Sequence, residues 1–352
     1  MATAASGMGA TMKQIVLASY AKGVPQPSDF RVELAPVPQA GDGEILLRTL
    51  WLALDPLIRF AIDEEVITGV VRLRPGDVMY GPTVSQVIAS NHPDYAAGDI
   101  VETRTGWCEF AVAAPGKADY RGPPRKLDAK LAPVRTALGA LGMPGQTAYA
   151  GIVDTARVAP GETVVVSAAA GAVGSIAGQI ARALGARAVG IAGGADKCRA
   201  LLDIGFDAVA DYKAADFEAQ LAAALPQDAD VYFDSTGGDV TFSVLPHLKR
   251  GARMAVCGFM AYQNMGMAGP GPDRMPGFYR MINSKGLEIR GFSSFFEGAG
   301  SLEKIAGWMQ QGLVSFPETI VEGLDAAPAA FSSVFAGNSF VGKLLVRVAQ
   351  DA

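Results

Sequence analysis

The chain has 352 residues, half of them hydrophobic and 18% charged, with 30 basic against 35 acidic side chains. That length can bury two separate cores, and a net charge of −5 argues against a nucleic-acid surface. No apolar run reaches the roughly 18 residues of a membrane span, and 42 aperiodic glycines exclude a collagen-like repeat.

The opening stretch, MATAASGMGATM, is small and uncharged, without the basic start and apolar centre of a secretory leader. Residues 1–12 are therefore expected to form a disordered extension, with the fold starting near Lys13. Cys108, Cys198 and Cys257 are odd in number and far apart, which is no disulfide framework. A reducing cytoplasm is the natural setting for them. His92 and His247 are the only histidines and lie in loop-like surroundings, so no clustered zinc ligands are expected.

From Lys13 to about Ala140 the chain reads as strands. KQIVLASY, GEILLRTLWLAL, DVMYGPTVSQVIAS, DIVETRT and CEFAVAA are short apolar or alternating runs broken by Pro, Gly and Asp. Residues 13–140 are thus expected to form a β-rich domain. From Leu141 strands alternate with helical stretches, the signature of a parallel sheet with crossover helices. ETVVVSAA (162–169) predicts a first buried strand and AVGSIAGQIARALG (172–185) an amphipathic helix. ARAVGIAG (186–193) and ADKCRALLDIG (195–205) repeat the unit, and about six strands follow in all. That predicts a doubly wound sheet over 141–312, with 313–352, including the strand VGKLLVRV, returning to the first domain.

SAAAGAVGSIAG follows the first of these strands and opens a helix. Small residues here let the backbone turn tightly and bring its N–H groups to a pyrophosphate. Aligned on G-x-G-x-x-G it reads Ala169-Ala170-Gly171-Ala172-Val173-Gly174, with alanine replacing the first glycine. The strand–turn–helix context makes this a Rossmann nucleotide site. An acidic residue normally ends the second strand when NAD is bound, but Ile191-Ala192-Gly193-Gly194 has none. Lys197 follows and can reach a 2′-phosphate, so the expected cofactor is NADPH. Gly337-Asn338-Ser339-Phe340-Val341-Gly342-Lys343 mimics a P-loop, but Leu344 replaces the magnesium-binding hydroxyl and a strand follows.

With these motifs the chain resembles the zinc-independent medium-chain dehydrogenase/reductases, in the prostaglandin, 2-alkenal and curcumin reductase branch. The resemblance takes in Leu54-Asp55-Pro56 with Arg59, GMPGQTAY (142–149), AAGAVGS (169–175) and GIAGGADKC (190–198). It continues through GFDAVADYK (205–213), DVYFDSTGG (230–238), CGFMAYQN (257–264) and GNSFVGK (337–343). It implies a GroES-like catalytic domain beside the Rossmann domain, and a homodimer joined along an edge strand near Leu287–Phe296. Gly171, Ala172, Val173 and Gly174 would face the pyrophosphate, and Lys197 and Tyr212 the 2′-phosphate. Cys257, Gly258, Phe292, Ser294 and Asn338 would line the nicotinamide end, with Met143, Thr147 and Ser235 nearby.

Departures from the family pattern fall on the substrate side. Leu57 stands where the family has tyrosine, and Ser235 where it has asparagine. Gln263 replaces a tyrosine that lies near the substrate carbonyl in the family, and Tyr262 stands one place earlier. Leu57, Arg59, Tyr262 and Gln263 are the expected substrate residues, and Tyr262 is the expected catalytic donor, with the Gln263 amide as the competing one. The implied reaction delivers hydride to the β-carbon of a small α,β-unsaturated carbonyl and stabilises the resulting enolate. A quinone reductase and a non-catalytic NADPH-binding sensor are the alternatives at this stage.

Overall fold

Parallel strands covered on both faces read as unbroken apolar runs, and the sequence supplies several. The computed structural model describes residues 10–64, 71–117, 123–130, 132–264, 273–293, 300–337 and 340–351. It divides into two units, one running to Leu138 with Ile320–Ala336 and the stretch from Leu344, the other Gly139–Thr319 with Gly337–Lys343.

The first unit opens with β1 (Thr11–Leu17) and β2 (Phe30–Pro36), paired antiparallel. Strand β1 begins at Thr11, ahead of Lys13, because Met12 is already buried; the expected extension shortens accordingly. Next come β3 (Ile45–Ala53), β4 (Thr83–Ser90), β5 (Ile100–Thr103), β6 (Phe110–Ala113) and β7 (Arg125–Lys126). Leu50, Trp51, Ala53 and Val84 gather with Ala137, Leu138 and Leu345 into a core. Trp107 is fully buried and stacks on Phe30 at 5.7 Å between ring centroids.

The second unit holds β8 (Thr163–Val166), β9 (Arg187–Ala192), β10 (Ala208–Asp211), β11 (Ala229–Asp234), β12 (Leu248–Val256) and β13 (Glu288–Gly291). All pair in parallel, in the order β10-β9-β8-β11-β12-β13. This is the doubly wound arrangement, and the strand order reverses between β8 and β11. Helix α1 (Met143–Tyr149) precedes the sheet, α2 (Ala172–Ala183) follows β8 and α3 (Ala195–Asp203) follows β9. Small residues let α2 lie close to its neighbours: a Cβ on Gly178 would sit 2.0 Å from the Phe206 ring. Among the described residues no helix is long and apolar enough to cross a membrane.

Strands β14 (Glu318–Glu322) and β15 (Lys343–Arg347) complete a sheet of order β14-β15-β3-β4-β5-β7, with β6 against β3. The return to the first unit therefore starts at Ile320, later than the expected residue 313. Val314 is buried in the nucleotide-unit core and Ser315 N–H donates to Gln179 at 2.7 Å, which holds this stretch back. Gly337–Lys343 also stays with the second unit, where Gly342 N–H donates to the Ala170 carbonyl at 2.8 Å. Lys343 itself is buried at the start of a strand.

Candidate active site

The turn after β8 brings the predicted glycine motif to a helix N-terminus. Gly171 is the N-cap of α2 with extended backbone and no side-chain cap, which leaves the first N–H groups of Ala172, Val173 and Gly174 for a ligand. Helix partial charge favours an anion there. Gly174 admits no side chain, since a Cβ would lie 2.5 Å from the Ala168 carbonyl oxygen. Ala168 has φ +47°, a left-handed conformation that costs a non-glycine residue ~1–2 kcal/mol. The turn is held to β9 by the Ala169 N–H, which donates to the Ile191 carbonyl at 3.0 Å.

At the end of β9, Gly193 and Gly194 replace the acid that would hold ribose hydroxyls. The Tyr212 ring lies across Gly193, where a Cβ would come within 2.7 Å of Cε1. Lys197, in the first turn of α3, sets its ammonium 5.3 Å from the centre of the Phe340 ring. Desolvation, then the nearby Lys213 charge, holds the Lys197 pKa below the ordinary lysine value. Among the described residues no carboxylate pairs with either lysine, and Lys213 Nζ donates only to the Gly337 carbonyl at 3.1 Å. Asp211 ties this corner together, accepting from Gly194 N–H at 2.8 Å and Lys213 N–H at 2.9 Å. Two ammonium groups with no carboxylate partner among the described residues, beside an open tyrosine, fit a phosphate monoester. Lys213 was not singled out in the sequence, although it adjoins Tyr212.

The β11 end forms the other half of the crevice. The Asp234 carbonyl accepts from Cys257 N–H at 2.7 Å and Gly258 N–H at 3.1 Å, fixing the two loops edge to edge. Burial pushes the Cys257 thiol up to about 11, so it is a neutral wall rather than a nucleophile. The Ser235 hydroxyl tempers that rise, yet its buried Oγ meets no partner in good hydrogen-bonding geometry. Phe292 packs on Phe233, 6.0 Å between centroids, and crowds Gly151. Met143 and Thr147 lie one turn apart on α1, where the Thr147 hydroxyl donates back to the Met143 carbonyl at 2.7 Å. Ser294 and Asn338 lie outside the described residues.

Tyr262 and Gln263 end a short turn over Met260–Tyr262 and face different ways. Tyr262 is 39% exposed and rests on Gly237, where a Cβ would be 3.0 Å from its ring. Gln263 is 9% exposed, and its Oε1 is buried without a hydrogen-bond partner among the described residues. In the other unit, Leu57 is 46% exposed on a 3-10 turn. Arg59 differs from the expectation of a substrate contact, being only 2% exposed. Its guanidinium pairs with Asp63 at 2.9 Å and donates to the Gly23 carbonyl at 3.1 and 3.2 Å. Leaving those partners would strand a buried charge, so Arg59 serves the fold.

Among the described residues no three His, Cys, Asp or Glu side chains come together as metal ligands. The family described as N-terminal domain of oxidoreductase matches residues 13–119, and that described as zinc-binding dehydrogenase matches 172–300. The chain is 40% identical to an NADPH-dependent curcumin reductase of Escherichia coli, over 96% of each chain. It is 34% identical to prostaglandin reductase 1 of Oryctolagus cuniculus, over 94% of this chain and 92% of that one. A crystal structure of CurA from Vibrio vulnificus in complex with NADPH superposes with a TM-score of 0.88 at 37% identity. That match covers 96% of this chain and all of the other.

Proposed function

The chain belongs to the medium-chain dehydrogenase/reductase family, in the branch of the curcumin and prostaglandin reductases, and we propose that it is an NADPH-dependent reductase of activated carbon–carbon double bonds. Its substrates are small α,β-unsaturated carbonyl compounds. The observation that carries the cofactor reading is the Lys197–Lys213 pair, without carboxylate partners among the described residues, beside the Gly171–Gly174 turn.

When bound, the cofactor supplies the hydride. The backbone N–H groups of Ala172 to Gly174 would hold the pyrophosphate, the Gly171 N–H being spent on the Ala168 carbonyl at 2.9 Å, while Lys197, Lys213 and Tyr212 would hold the 2′-phosphate. Met143, Thr147, Ser235, Cys257, Gly258 and Phe292 line the nicotinamide end. Ser294 and Asn338 join them in this reading. Because hydride arrives at carbon, the protein's work is to align the acceptor and stabilise charge that develops on oxygen. The nearly buried side chain of Gln263, whose amide N–H2 can donate, suits that role better than the outward ring of Tyr262. Leu57 shapes the substrate end. No metal is needed for these tasks, and a reducing cytoplasm suits three free cysteines, two of them buried.

The test is NADPH consumption by chelator-dialysed protein against a panel of enals, enones and quinones. Turnover of enals and enones above quinones is expected. Activity that appears only with added zinc, or only with quinones, would refute the reading.

A further inference from the structure

Asp234 is a buried carboxylate at the carboxyl end of β11 with no task in the chemistry above. It ends β11, beside the point where the strand order reverses, and is 2% exposed. Its Oδ1 accepts from Thr236 N–H at 2.9 Å and Gly237 N–H at 3.0 Å. Ser167 Oγ at 3.0 Å and Tyr232 OH at 2.9 Å also donate to Oδ1, and Thr241 Oγ1 donates to Oδ2 at 2.6 Å. Ser167 in turn accepts from Ser235 N–H at 2.9 Å, so the carboxylate ties the end of β8 to the turn after β11.

Every one of these partners is neutral. Among the described residues no Lys, Arg or His pairs with Asp234. A charge taken out of water is normally paired as well as hydrogen-bonded, and here neutral hydrogen-bond donors alone offset its burial. Backbone N–H groups cannot accept a proton in return, so Oδ1 is an acceptor towards both of them.

In a doubly wound sheet the two halves take the two halves of the dinucleotide, across the crevice at the carboxyl ends of the strands. The β8–β9 half holds the glycine turn and the lysine pair, which leaves the β11–β12 half for the nicotinamide. The nicotinamide ring is cationic when oxidised and neutral when reduced. A negative charge near it, held by neutral donors and no cation among the described residues, would stabilise the oxidised form and make the reduced form a better hydride donor.

We propose that Asp234 is an electrostatic positioning residue that biases the bound cofactor towards its oxidised, cationic form. This rests on the reading that the chain binds NADP(H). The preference is measured as the ratio of dissociation constants for NADP+ and NADPH. Asp234→Asn keeps an Oδ1 for the two N–H donors while removing the charge. It is expected to raise the NADP+/NADPH ratio of dissociation constants by roughly tenfold, with NADPH affinity nearly unchanged. Thr241→Val removes a hydrogen bond but leaves the charge, and should leave the ratio as in the parent protein. A third measurement needs no variant. The parent protein should bind NADP+ about tenfold more tightly than its uncharged benzamide analogue, in which a phenyl ring replaces the pyridinium.

An unchanged ratio in Asp234→Asn, or equal binding of NADP+ and the benzamide analogue, overturns the role given to Asp234. A ratio shifted as much by Thr241→Val would show the effect to be one of turn geometry, and overturns it too. Failure to bind either nucleotide would overturn the NADP(H) reading and this proposal together.

Discussion

Gly193 is small because Tyr212 lies across it: a Cβ there would stand 2.7 Å from the ring and 2.9 Å from the hydroxyl oxygen. Tyr212 is 45% exposed, so the ring can swing aside at little cost to the fold. Gly193→Ala is therefore expected to leave the melting temperature within a degree or two, roughly, yet weaken NADPH about three- to tenfold. NADH should bind as before. A calorimetric titration that showed both cofactors unchanged would remove Tyr212 from the 2′-phosphate site.

Lys197 gives a second test, with a pH signature. Its folded pKa lies below the ordinary lysine value through desolvation and the Lys213 charge. The attraction for phosphate is thus full while the group stays protonated and is lost as pH rises through that lowered pKa. NADPH affinity should fall at a lower pH than an ordinary lysine would allow, whereas NADH affinity should not follow. Lys197→Ala is expected to cost NADPH roughly ten- to a hundredfold at neutral pH. Equal weakening of both cofactors would contradict the assignment.

The oxyanion donor can be decided by two substitutions. Losing one such donor typically costs ~10²–10³ in turnover. Gln263→Met should show a loss of that order at unchanged NADPH affinity, and Tyr262→Phe should stay within a few-fold. The reverse pattern would return the role to Tyr262.

Strand β13 lies at the edge of the six-stranded sheet, and its four residues are all exposed, including Ile289 at 36%. An unpaired edge of this kind invites pairing with a second copy. Light scattering at micromolar concentration should give about twice the 36.5 kDa chain mass, and Ile289→Pro should reduce it. A monomer mass for the unaltered chain would refute the homodimer.

The nucleotide unit was legible in the sequence because its cues are local. Strand β8 is a run of valines, Gly171 and Gly174 sit where backbone crowds, and the absent acid at Ala192 is visible by inspection. Other features needed the third dimension. Whether Tyr262 or Gln263 turns inward depends on one short turn, which no periodicity encodes. The burial of Arg59 against Asp63, four residues on, was likewise not legible from its motif. The donor shell of Asp234 was not legible, because Ser167 and Thr241 reach it from other elements than the adjoining Tyr232, Thr236 and Gly237. The late return at Ile320 hinged on Gln179 holding Ser315, a contact between residues 136 apart in sequence.

The most direct test of double-bond reduction follows the hydride itself. NADPH deuterated at the transferring position is supplied with an enone, and the product is read by NMR. Deuterium at the β-carbon of a saturated ketone is the expected result. Deuterium on the carbonyl carbon, giving an unsaturated alcohol, would contradict it.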